Sequence, residues 1–319
     1  MMMNVILLLV GLGLIVFGAN WLVDGASSIA RRIGVSEFVI GLTIVGFGTS
    51  CPELVVSLTG AIQGNPDIAI GNVVGSNVFN VLFILGLTAI LSPVSMTSEN
   101  RKLDIPVTLG VSLLLVLCGM SSTLFGIGSS DTISRIEGAL FILLFAGYMY
   151  FCFKNDKGAE ESSEDGRPKN LFVAIVLVLA GLAGLVFGGD LFVDSAKVIA
   201  HNLGVSDKFI AITVLAGGTS FPELATCVVA AAKHKDQLAL GNILGSNVFN
   251  ILLVVGCSAV VTPMSLAAMG IVDMIALILG PALLLVWSFT GSKCGIDRWE
   301  GAVMLLCFIA YYAYLFVGM

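Results

Sequence analysis

Two glutamates stand in the middle of long apolar stretches of this chain. Glu53 ends the motif G-T-S-C-P-E, and Glu223 ends the motif G-T-S-F-P-E at an offset of 170 positions. A charged carboxylate near the centre of a bilayer costs at least ~2.5–3.5 kcal/mol on insertion scales, so an acid placed there is a functional candidate by default. The alternative is a protonated glutamate that serves only as a structural hydrogen-bond donor. The recurrence of the acid in the same context favours a binding function.

A proline stands directly before each acid, Pro52 before the first and Pro222 before the second. Proline inside a helix lacks an N–H donor and clashes with the carbonyl four residues back, so we expect both helices to break there. Freed carbonyls around 46–49 and 216–219 would then line a cavity, since non-helical backbone at membrane depth is tolerated in such a place. A simple packing kink is the alternative. The neighbouring hydroxyls are those of Thr49, Ser50, Thr219 and Ser220.

A second motif, G-N-x-x-G-S-N-x-x-N, also occurs twice. Its residues Asn72, Ser76 and Asn80 lie four positions apart, a spacing that places them on one face of a helix. The second copy holds Asn242, Ser246 and Asn250. Hydrogen bonding between helices is the alternative role for such residues. Asn77 and Asn247 point away from the common face and are the clearest candidates for that structural role.

Together the two motifs supply two carboxylates, four amide carbonyls, several hydroxyls and freed backbone carbonyls. All are hard oxygen ligands, and no Cys, His or Met joins them in a repeated pattern. Sites of six to eight such oxygens suit Ca²⁺, whose charge two carboxylates neutralise. Similar oxygen cages also hold Na⁺. The residue types therefore predict a site for Ca²⁺ or Na⁺ rather than for zinc or copper.

The composition places these motifs in a membrane. Of 319 residues, 57% are hydrophobic and 11% are charged, whereas soluble domains are about 25% charged. Apolar runs of about 20 residues are typical of membrane helices. Their polar ends, Asp24 and Asp194 among them, predict ten helices near 4–23, 38–62, 68–91, 105–121, 137–153, 171–190, 209–232, 238–261, 271–290 and 299–318. We therefore predict an all-α integral membrane protein in which the second and seventh helices are broken at the ion site.

The chain is internally duplicated. Residues 11–96 and 181–266 align without a gap, and 36 of the 86 positions are identical. Each copy holds five predicted helices, an odd number, so the second copy must cross the membrane in the opposite sense. We predict a first five-helix repeat at 1–153, a cytoplasmic linker at 154–170 and a second, inverted repeat at 171–319.

The basic residues agree with this inversion. If both termini lie outside, twelve of the fifteen Lys and Arg residues fall in cytoplasmic loops, as the positive-inside rule requires. The charge also changes between matching loops, since residues 63–67 include no basic residue whereas their copy holds Lys233 and Lys235. This pattern is typical of inverted-topology repeats. We expect a multi-pass protein of the plasma (cell inner) membrane with the N- and C-termini outside.

The doubled motifs resemble the alpha repeats of the cation/Ca²⁺ antiporters, above all the prokaryotic sodium/calcium exchanger type, over essentially the whole chain. The resemblance implies that helices 2, 3, 7 and 8 form the ion-binding core. It also implies that long tilted helices 1 and 6 pack outside the core and slide during alternating access. Their glycines, such as Gly18 and Gly181, indicate close helix packing or a sliding surface.

By the same resemblance, Glu53 and Glu223 are the bridging cation ligands. The other implied ligands are Thr49, Ser50, Ser76, Asn80, Thr219, Ser220, Ser246 and Asn250, with backbone carbonyls near Gly46 and Ala216. The chain departs from the family pattern at Asn250, where characterised sodium/calcium exchangers often have Asp. The site then has one ionisable group fewer.

The leading hypothesis is an antiporter that exports Ca²⁺ in exchange for Na⁺, because two or more Na⁺ or one Ca²⁺ would neutralise the glutamates. Coupling to H⁺ in the same fold is the alternative, because two carboxylates held close together favour proton uptake by one of them. An enzyme is disfavoured, since the chain has no HExxH or GxSxG motif. A channel is a weaker alternative than an antiporter, and a flux that requires a counter-ion would exclude it.

We expect no catalytic residues and no cofactor. The expected partners are Ca²⁺, Na⁺ (or H⁺) and the lipid bilayer, without nucleic acid or an obligatory protein partner.

Overall fold

The structure, a computed structural model, describes residues 2–126, 131–156, 158, 169–203, 217–266, 269–290 and 295–317. In this part of the chain, eight helices are long and apolar enough to cross a membrane, and a ninth span results if Glu37–Thr49 and Cys51–Ile62 are counted as one broken helix. The seventh predicted span, 209–232, is described only from residue 217 onward, where the helix Phe221–Ala232 lies. The total of ten helices therefore stays a prediction.

The described residues form α-helices, short π-helical segments that adjoin them, and four two-residue strands that lie between helices. The α-helices are α1 Met2–Ile33, α2 Glu37–Ile40, α3 Gly46–Thr49, α4 Cys51–Ile62, α5 Pro66–Val78, α6 Gly86–Leu91, α7 Ile105–Gly119, α8 Ser121–Phe125, α9 Arg135–Asn155, α10 Leu171–Asn202, α11 Phe221–Ala232, α12 Asp236–Val248, α13 Gly256–Val261, α14 Ile271–Thr290 and α15 Arg298–Val317. The π-helical segments are Gly41–Val45, Phe79–Leu85, Asn100–Asp104 and Phe249–Val255. The strands are β1 Val94–Ser95, β2 Thr132–Ile133, β3 Met264–Ser265 and β4 Gly295–Ile296.

The first and sixth helices are longer than predicted. Helices α1 and α10 each extend over 32 residues, so the prediction that Asp24 and Asp194 end them is wrong. Each acid has a basic partner, because Lys233 Nζ donates to Asp24 Oδ1 at 2.6 Å and Lys197 Nζ donates to Asp194 Oδ1 at 3.0 Å. A paired carboxylate is tolerated inside a helix at the edge of an apolar region. A prediction from hydropathy alone ends both helices too early, because hydropathy takes no account of these basic partners.

Several helices expose large apolar side chains. Leu143 on α9 and Phe187 on α10 are each 69% exposed, and Leu306 on α15 is 64% exposed. Exposed apolar surface on this scale is unfavourable in water and marks a surface that another apolar phase covers. Together with the long apolar helices, these side chains identify a multi-pass membrane protein.

The chain divides into two compact units. Unit 1 consists of Met1–Pro52 and Asn155–Asn242, and unit 2 consists of Glu53–Lys154 and Ile243–Met319. Each unit takes segments from both sequence repeats. The compact units therefore do not follow the boundary between the repeats.

Unit 1 contains a close antiparallel pairing of α1 with α10. A Cβ added at Gly18 would lie 2.8 Å from the Gly181 carbonyl oxygen, and one added at Gly25 would lie 2.8 Å from the Ala174 carbonyl oxygen. Gly11 meets the carbonyl of Gly188 in the same way, at 2.9 Å. These positions recur every seven residues, so small residues form one continuous stripe along each helix. We call this contact the glycine seam; it confirms the predicted close packing of the two helices.

Unit 2 contains paired contacts that join the two repeats in a symmetric way. A Cβ at Gly86 would lie 3.0 Å from the Gly301 carbonyl oxygen, and a Cβ at Gly138 would lie 2.8 Å from that of Gly256. Hence α6 packs against α15, and α13 packs against α9. The strands follow the same rule, since β1 pairs with β4 and β2 pairs with β3, both antiparallel. In each pair, one member comes from the first repeat and the other from the second.

Candidate ion-binding site

The helix that carries the first motif is interrupted where the proline predicts. Helix α3 ends at Thr49, α4 begins at Cys51, and Ser50 lies between them with φ −87° and ψ 6°. The Ser50 N–H donates to the Gly46 carbonyl at 3.1 Å. The Thr49 hydroxyl donates to the Val45 carbonyl at 3.0 Å. The first copy of G-T-S-x-P-E is therefore a helix break lined by hydroxyls and carbonyls.

In the second motif copy the serine has nearly the same backbone dihedral angles, although residues 217–220 form turns where the first copy is helical up to Thr49. Ser220 has φ −92° and ψ 7°, and α11 begins directly after it with Pro222 in its first turn. The Ser220 N–H donates to the Gly217 carbonyl at 3.2 Å. Ser220 is buried and Thr219 is half-buried. Ala216, a predicted carbonyl ligand, lies outside the described residues.

Glu223 is fully buried in unit 1 and accepts a hydrogen bond from the other repeat. Its side chain is 0% exposed, and Ser50 Oγ donates to Glu223 Oε1 at 2.8 Å. Hydrogen bonds to charged groups contribute roughly 1.5–3 kcal/mol, more than neutral ones. The serine of the first motif and the glutamate of the second therefore form one polar cluster.

Asn242 extends this cluster within unit 1. Thr49 Oγ1 lies 3.1 Å from Asn242 Oδ1, and Asn242 Nδ2 donates to Cys227 Sγ at 3.3 Å. Close backbone packing brings these groups together, because a Cβ at Gly41 would lie only 2.5 Å from the Leu238 carbonyl oxygen. We call Thr49, Ser50, Glu223, Cys227 and Asn242 the Glu223 cluster.

Unit 2 holds the corresponding Glu53 cluster, which consists of Glu53, Ser57, Asn72 and Ser76. Glu53 is 0% exposed. Asn72 Nδ2 donates to Ser57 Oγ at 3.0 Å and approaches the Glu53 backbone carbonyl at 3.3 Å. Ser76 Oγ donates to the Asn72 carbonyl at 2.7 Å. The two bonds of Asn72 fix α5 against α4 beside a buried carboxylate, whereas the Ser76 bond lies within α5.

Four asparagines form a hydrogen-bonded chain in unit 2 in the order Asn80, Asn247, Asn77 and Asn250; we call it the asparagine ring because Asn77 and Asn247 close a ring at its centre. Asn77 Nδ2 donates to the Asn247 carbonyl at 3.2 Å, and Asn247 Nδ2 donates to the Asn77 carbonyl at 3.4 Å. Asn80 Nδ2 donates to Asn247 Oδ1 at 3.2 Å, and Asn250 Nδ2 donates to Asn77 Oδ1 at 3.1 Å. All four side chains are at most 1% exposed. This asparagine ring confirms that Asn77 and Asn247 hydrogen-bond between helices.

The predicted ligands are thus distributed over both units and are almost all buried. Unit 1 holds Gly46, Thr49, Ser50, Thr219, Ser220 and Glu223. Unit 2 holds Glu53, Ser76, Asn80, Ser246 and Asn250. Asn242, which the second motif places on its polar face, hydrogen-bonds between helices. Sequence reasoning missed the contribution of Cys227, which lies one helical turn after Glu223.

A multi-pass membrane protein with two buried glutamates among hydroxyl and amide oxygens has the character of a cation transporter. The chain belongs to the sodium/calcium exchanger family: the family described as "Sodium/calcium exchanger protein" matches residues 3–154 and 173–317. This is a family of exchangers and antiporters, not of enzymes. The resemblance that the doubled motifs indicate is confirmed.

Individual relatives match over nearly their whole length. The putative antiporter CaxA of Alkalimonas amylolytica is 39% identical over 326 residues, which cover 99% of both chains. The sodium/calcium exchanger MaX1 of Methanosarcina acetivorans is 33% identical over 350 residues, which cover 98% of both chains. A solved structure of the sodium-calcium exchanger NCX_Mj, soaked with 10 mM Na⁺ and 10 mM Sr²⁺, matches with a TM-score of 0.84 and 33% identity over 98% of both chains.

Proposed function

We propose that this protein is a secondary active antiporter that exchanges Ca²⁺ for Na⁺ across the plasma membrane by alternating access. The observation that carries the proposal is the burial of two carboxylates, Glu53 and Glu223, each 0% exposed in a membrane protein. The similarity to an exchanger named for Na⁺ and Ca²⁺ along the whole chain supports it.

The two glutamates are the primary ligands of the transported cations. Hydroxyl, amide and backbone oxygens complete the coordination, and hard oxygens of this kind are the ligands of Ca²⁺. These further ligands are Gly46, Thr49, Ser50, Ser76, Asn80, Ala216, Thr219, Ser220, Ser246 and Asn250. Ser50 lies beside one of these glutamates, because its hydroxyl donates to Glu223 Oε1 at 2.8 Å. The Ser50 oxygen keeps its lone pairs in this hydrogen bond, so the same hydroxyl can bind the carboxylate and coordinate a cation.

Charge neutralisation explains why such a site exchanges ions. Two unscreened carboxylates within a membrane are costly, so a protein with an empty site resists the transition between its outward- and inward-open states. One Ca²⁺ or two Na⁺ cancel the same charge, and either load lowers that cost. Net transport in one direction therefore requires a counter-ion for the return.

The proposed architecture has ten helices in two inverted five-helix repeats, with the N- and C-termini outside and the linker 154–170 in the cytoplasm. The distribution of basic residues supports this orientation. The glycine seam supports a sliding movement of α1 and α10, since small residues leave no interlocking side chains between the helices.

Coupling to H⁺ is the second candidate, and one observation favours it. Both Asn80 and Asn250 are neutral, so the glutamates are the only ionisable side chains among the proposed ligands. A site with fewer negative charges holds fewer Na⁺. A proton on one carboxylate would neutralise that charge in place of a Na⁺.

The test is ⁴⁵Ca²⁺ uptake into liposomes that contain the purified protein. The liposomes are loaded with Na⁺ and diluted into Na⁺-free buffer, and a parallel set has a pH gradient without Na⁺. We expect Na⁺-driven uptake that Glu53→Gln and Glu223→Gln each abolish, because a neutral amide cannot balance the cation. Asp67→Asn is the matched control, since Asp67 is an exposed acid in the first turn of α5.

Uptake driven only by the pH gradient would reassign the coupling ion to H⁺. Near-normal uptake in both glutamine variants would refute the assignment of the site. No Ca²⁺ flux under either gradient would refute the proposed substrate.

A further inference from the structure

We propose that Asn77 and Asn247 are positioning residues that fix the amide orientation of Asn80 and Asn250, so that the Oδ1 atoms of Asn80 and Asn250 face the cation. This inference rests on the proposed function. It assigns a role to two residues of the asparagine ring that are not themselves ligands.

The ring permits only one orientation of each amide. An asparagine amide can rotate by 180° and exchange its oxygen with its NH₂ group, so the hydrogen-bond partners decide which orientation is stable. Asn77 Nδ2 must point to the Asn247 carbonyl at 3.2 Å, because a carbonyl only accepts. The Oδ1 atom of Asn77 is then an acceptor toward Asn250 Nδ2 at 3.1 Å. A rotated Asn250 would bring two oxygens together.

The same reasoning holds on the other side of the ring. Asn247 Nδ2 points to the Asn77 carbonyl at 3.4 Å, and Asn247 Oδ1 accepts from Asn80 Nδ2 at 3.2 Å. Two backbone carbonyls therefore determine the orientation of Asn77 and Asn247, which in turn determine that of Asn250 and Asn80.

The result is a pair of buried oxygens that lack a hydrogen-bond donor. Among the described residues, no donor reaches Oδ1 of Asn80 or Oδ1 of Asn250, although both side chains are 0% exposed. A buried acceptor without a donor is unfavourable unless another electropositive group binds it. Both residues lie in π-helical segments, Phe79–Leu85 and Phe249–Val255, and such segments are frequent at functional sites. A cation is the partner that these two oxygens fit.

The ring also sets the condition that a carboxylate at position 250 would have to meet. An ionised aspartate there would place a second acceptor against Asn77 Oδ1, where Asn250 now places a donor at 3.1 Å, whereas a protonated aspartate would still donate. The residue types at 77 and 250 are therefore coupled. By the symmetry of the ring, those at 247 and 80 are coupled in the same way.

A double-mutant cycle tests the coupling. We expect Asn250→Asp alone to raise the half-saturating Ca²⁺ concentration of exchange by at least about 10-fold, in the range of coupling between contacting residues. Asn77→Ser removes the opposing acceptor and supplies a hydroxyl donor, so the double variant should recover most of that loss. The mirror pair, Asn80→Asp with Asn247→Ser, should behave alike.

The matched control combines Asn250→Asp with Asn247→Ser, the substitution at the other central asparagine. Asn247→Ser should not rescue Asn250→Asp, because Asn247 bonds to Asn80 and not to Asn250. The melting temperature of each variant without Ca²⁺ is measured alongside, since a purely structural ring would show coupling in stability without coupling in Ca²⁺ affinity.

Rescue in Ca²⁺ affinity by the matched partner alone would support the inference. Equal rescue by either partner, or coupling confined to the melting temperature, would overturn it. Absence of Ca²⁺ exchange by the wild-type protein would instead refute the proposed function, and so the two failures are distinguishable.

Discussion

The two compact units hold their helices together in different ways. In unit 1 the longest helices, α1 and α10, meet along a stripe of small residues with backbone close to backbone. In unit 2 helices also meet at glycines, but two short antiparallel ribbons and the asparagine ring add directional hydrogen bonds to these contacts. Each unit holds one buried glutamate. The units therefore differ in whether directional hydrogen bonds reinforce the contacts between their helices.

The physical reason lies in the shape of the contacts. Large side chains interdigitate as ridges and grooves and oppose movement along the helix axis. A stripe of glycines presents no ridges, so displacement along it disrupts few contacts. Directional hydrogen bonds, such as that from Asn250 Nδ2 to Asn77 Oδ1 at 3.1 Å, are lost when either partner shifts. We infer that the glycine seam tolerates displacement along the helix axis more readily than the hydrogen-bonded contacts of unit 2 do.

The largest effect is expected from a side chain placed in the glycine seam. Gly18→Leu should reduce the Ca²⁺ exchange rate by at least about 10-fold, because its Cβ would lie 2.8 Å from a backbone oxygen and would force the helices apart. Gly13→Leu is the control on the same helix, since its Cβ has no neighbour within 4 Å. The measurement is ⁴⁵Ca²⁺ flux per folded molecule. An unchanged rate in Gly18→Leu would remove the distinction between the units.

An intermediate effect, on stability and not on rate, is expected in unit 2. Gly301→Ala should lower the stability by about 1–3 kcal/mol through overpacking, since its Cβ would lie 2.6 Å from the Gly86 carbonyl oxygen. Thermal unfolding in detergent measures the loss, and Gly147→Ala, whose Cβ meets nothing within 4 Å, is the control. A lower exchange rate per folded molecule with normal stability would mean that this contact also moves.

The smallest effect concerns a chemical difference between the two glutamate clusters. Asn72 donates to the Ser57 hydroxyl at 3.0 Å in unit 2, whereas Asn242 donates to the Cys227 thiol at 3.3 Å in unit 1. Cys227→Ser should change the unfolding free energy by less than about 1 kcal/mol, because one weak acceptor is replaced by a better but smaller one. Melting temperature and half-saturating Ca²⁺ are measured together. A large shift in Ca²⁺ affinity would show that the thiol influences the bound cation directly.

Much of the fold follows from local features of the sequence. The apolar runs locate the helices, Pro52 locates the interruption at Ser50, and the glycines of α1 and α10 locate their contact. Each of these features acts within a few turns of helix, so hydropathy and residue type suffice to predict them.

The remainder depends on partners that are distant in the sequence. Helix α1 continues past Asp24 because Lys233 pairs with it, and 209 positions separate the two. The residue types of the candidate site were predictable, but the orientation of the Asn80 amide depends on Asn247, which lies 167 positions away. The π-helical segments that begin at Phe79 and Phe249 change which residues share a helix face after the motif. A sequence pattern based on 3.6 residues per turn does not predict such segments.

The strand pairing of unit 2 has a consequence for how the protein is made. Strand β1 belongs to the first repeat, and its partner β4 lies directly before α15. At a synthesis rate of 5–20 residues per second, the roughly 200 residues between them take about 10–40 s to emerge. Helix α6 meanwhile lies in the bilayer with Gly86 uncovered, because α15, which covers it, is translated roughly 200 residues later. The contacts of β1 and α6 therefore form only after α15 has been synthesised, and separately expressed halves should assemble only when both are present.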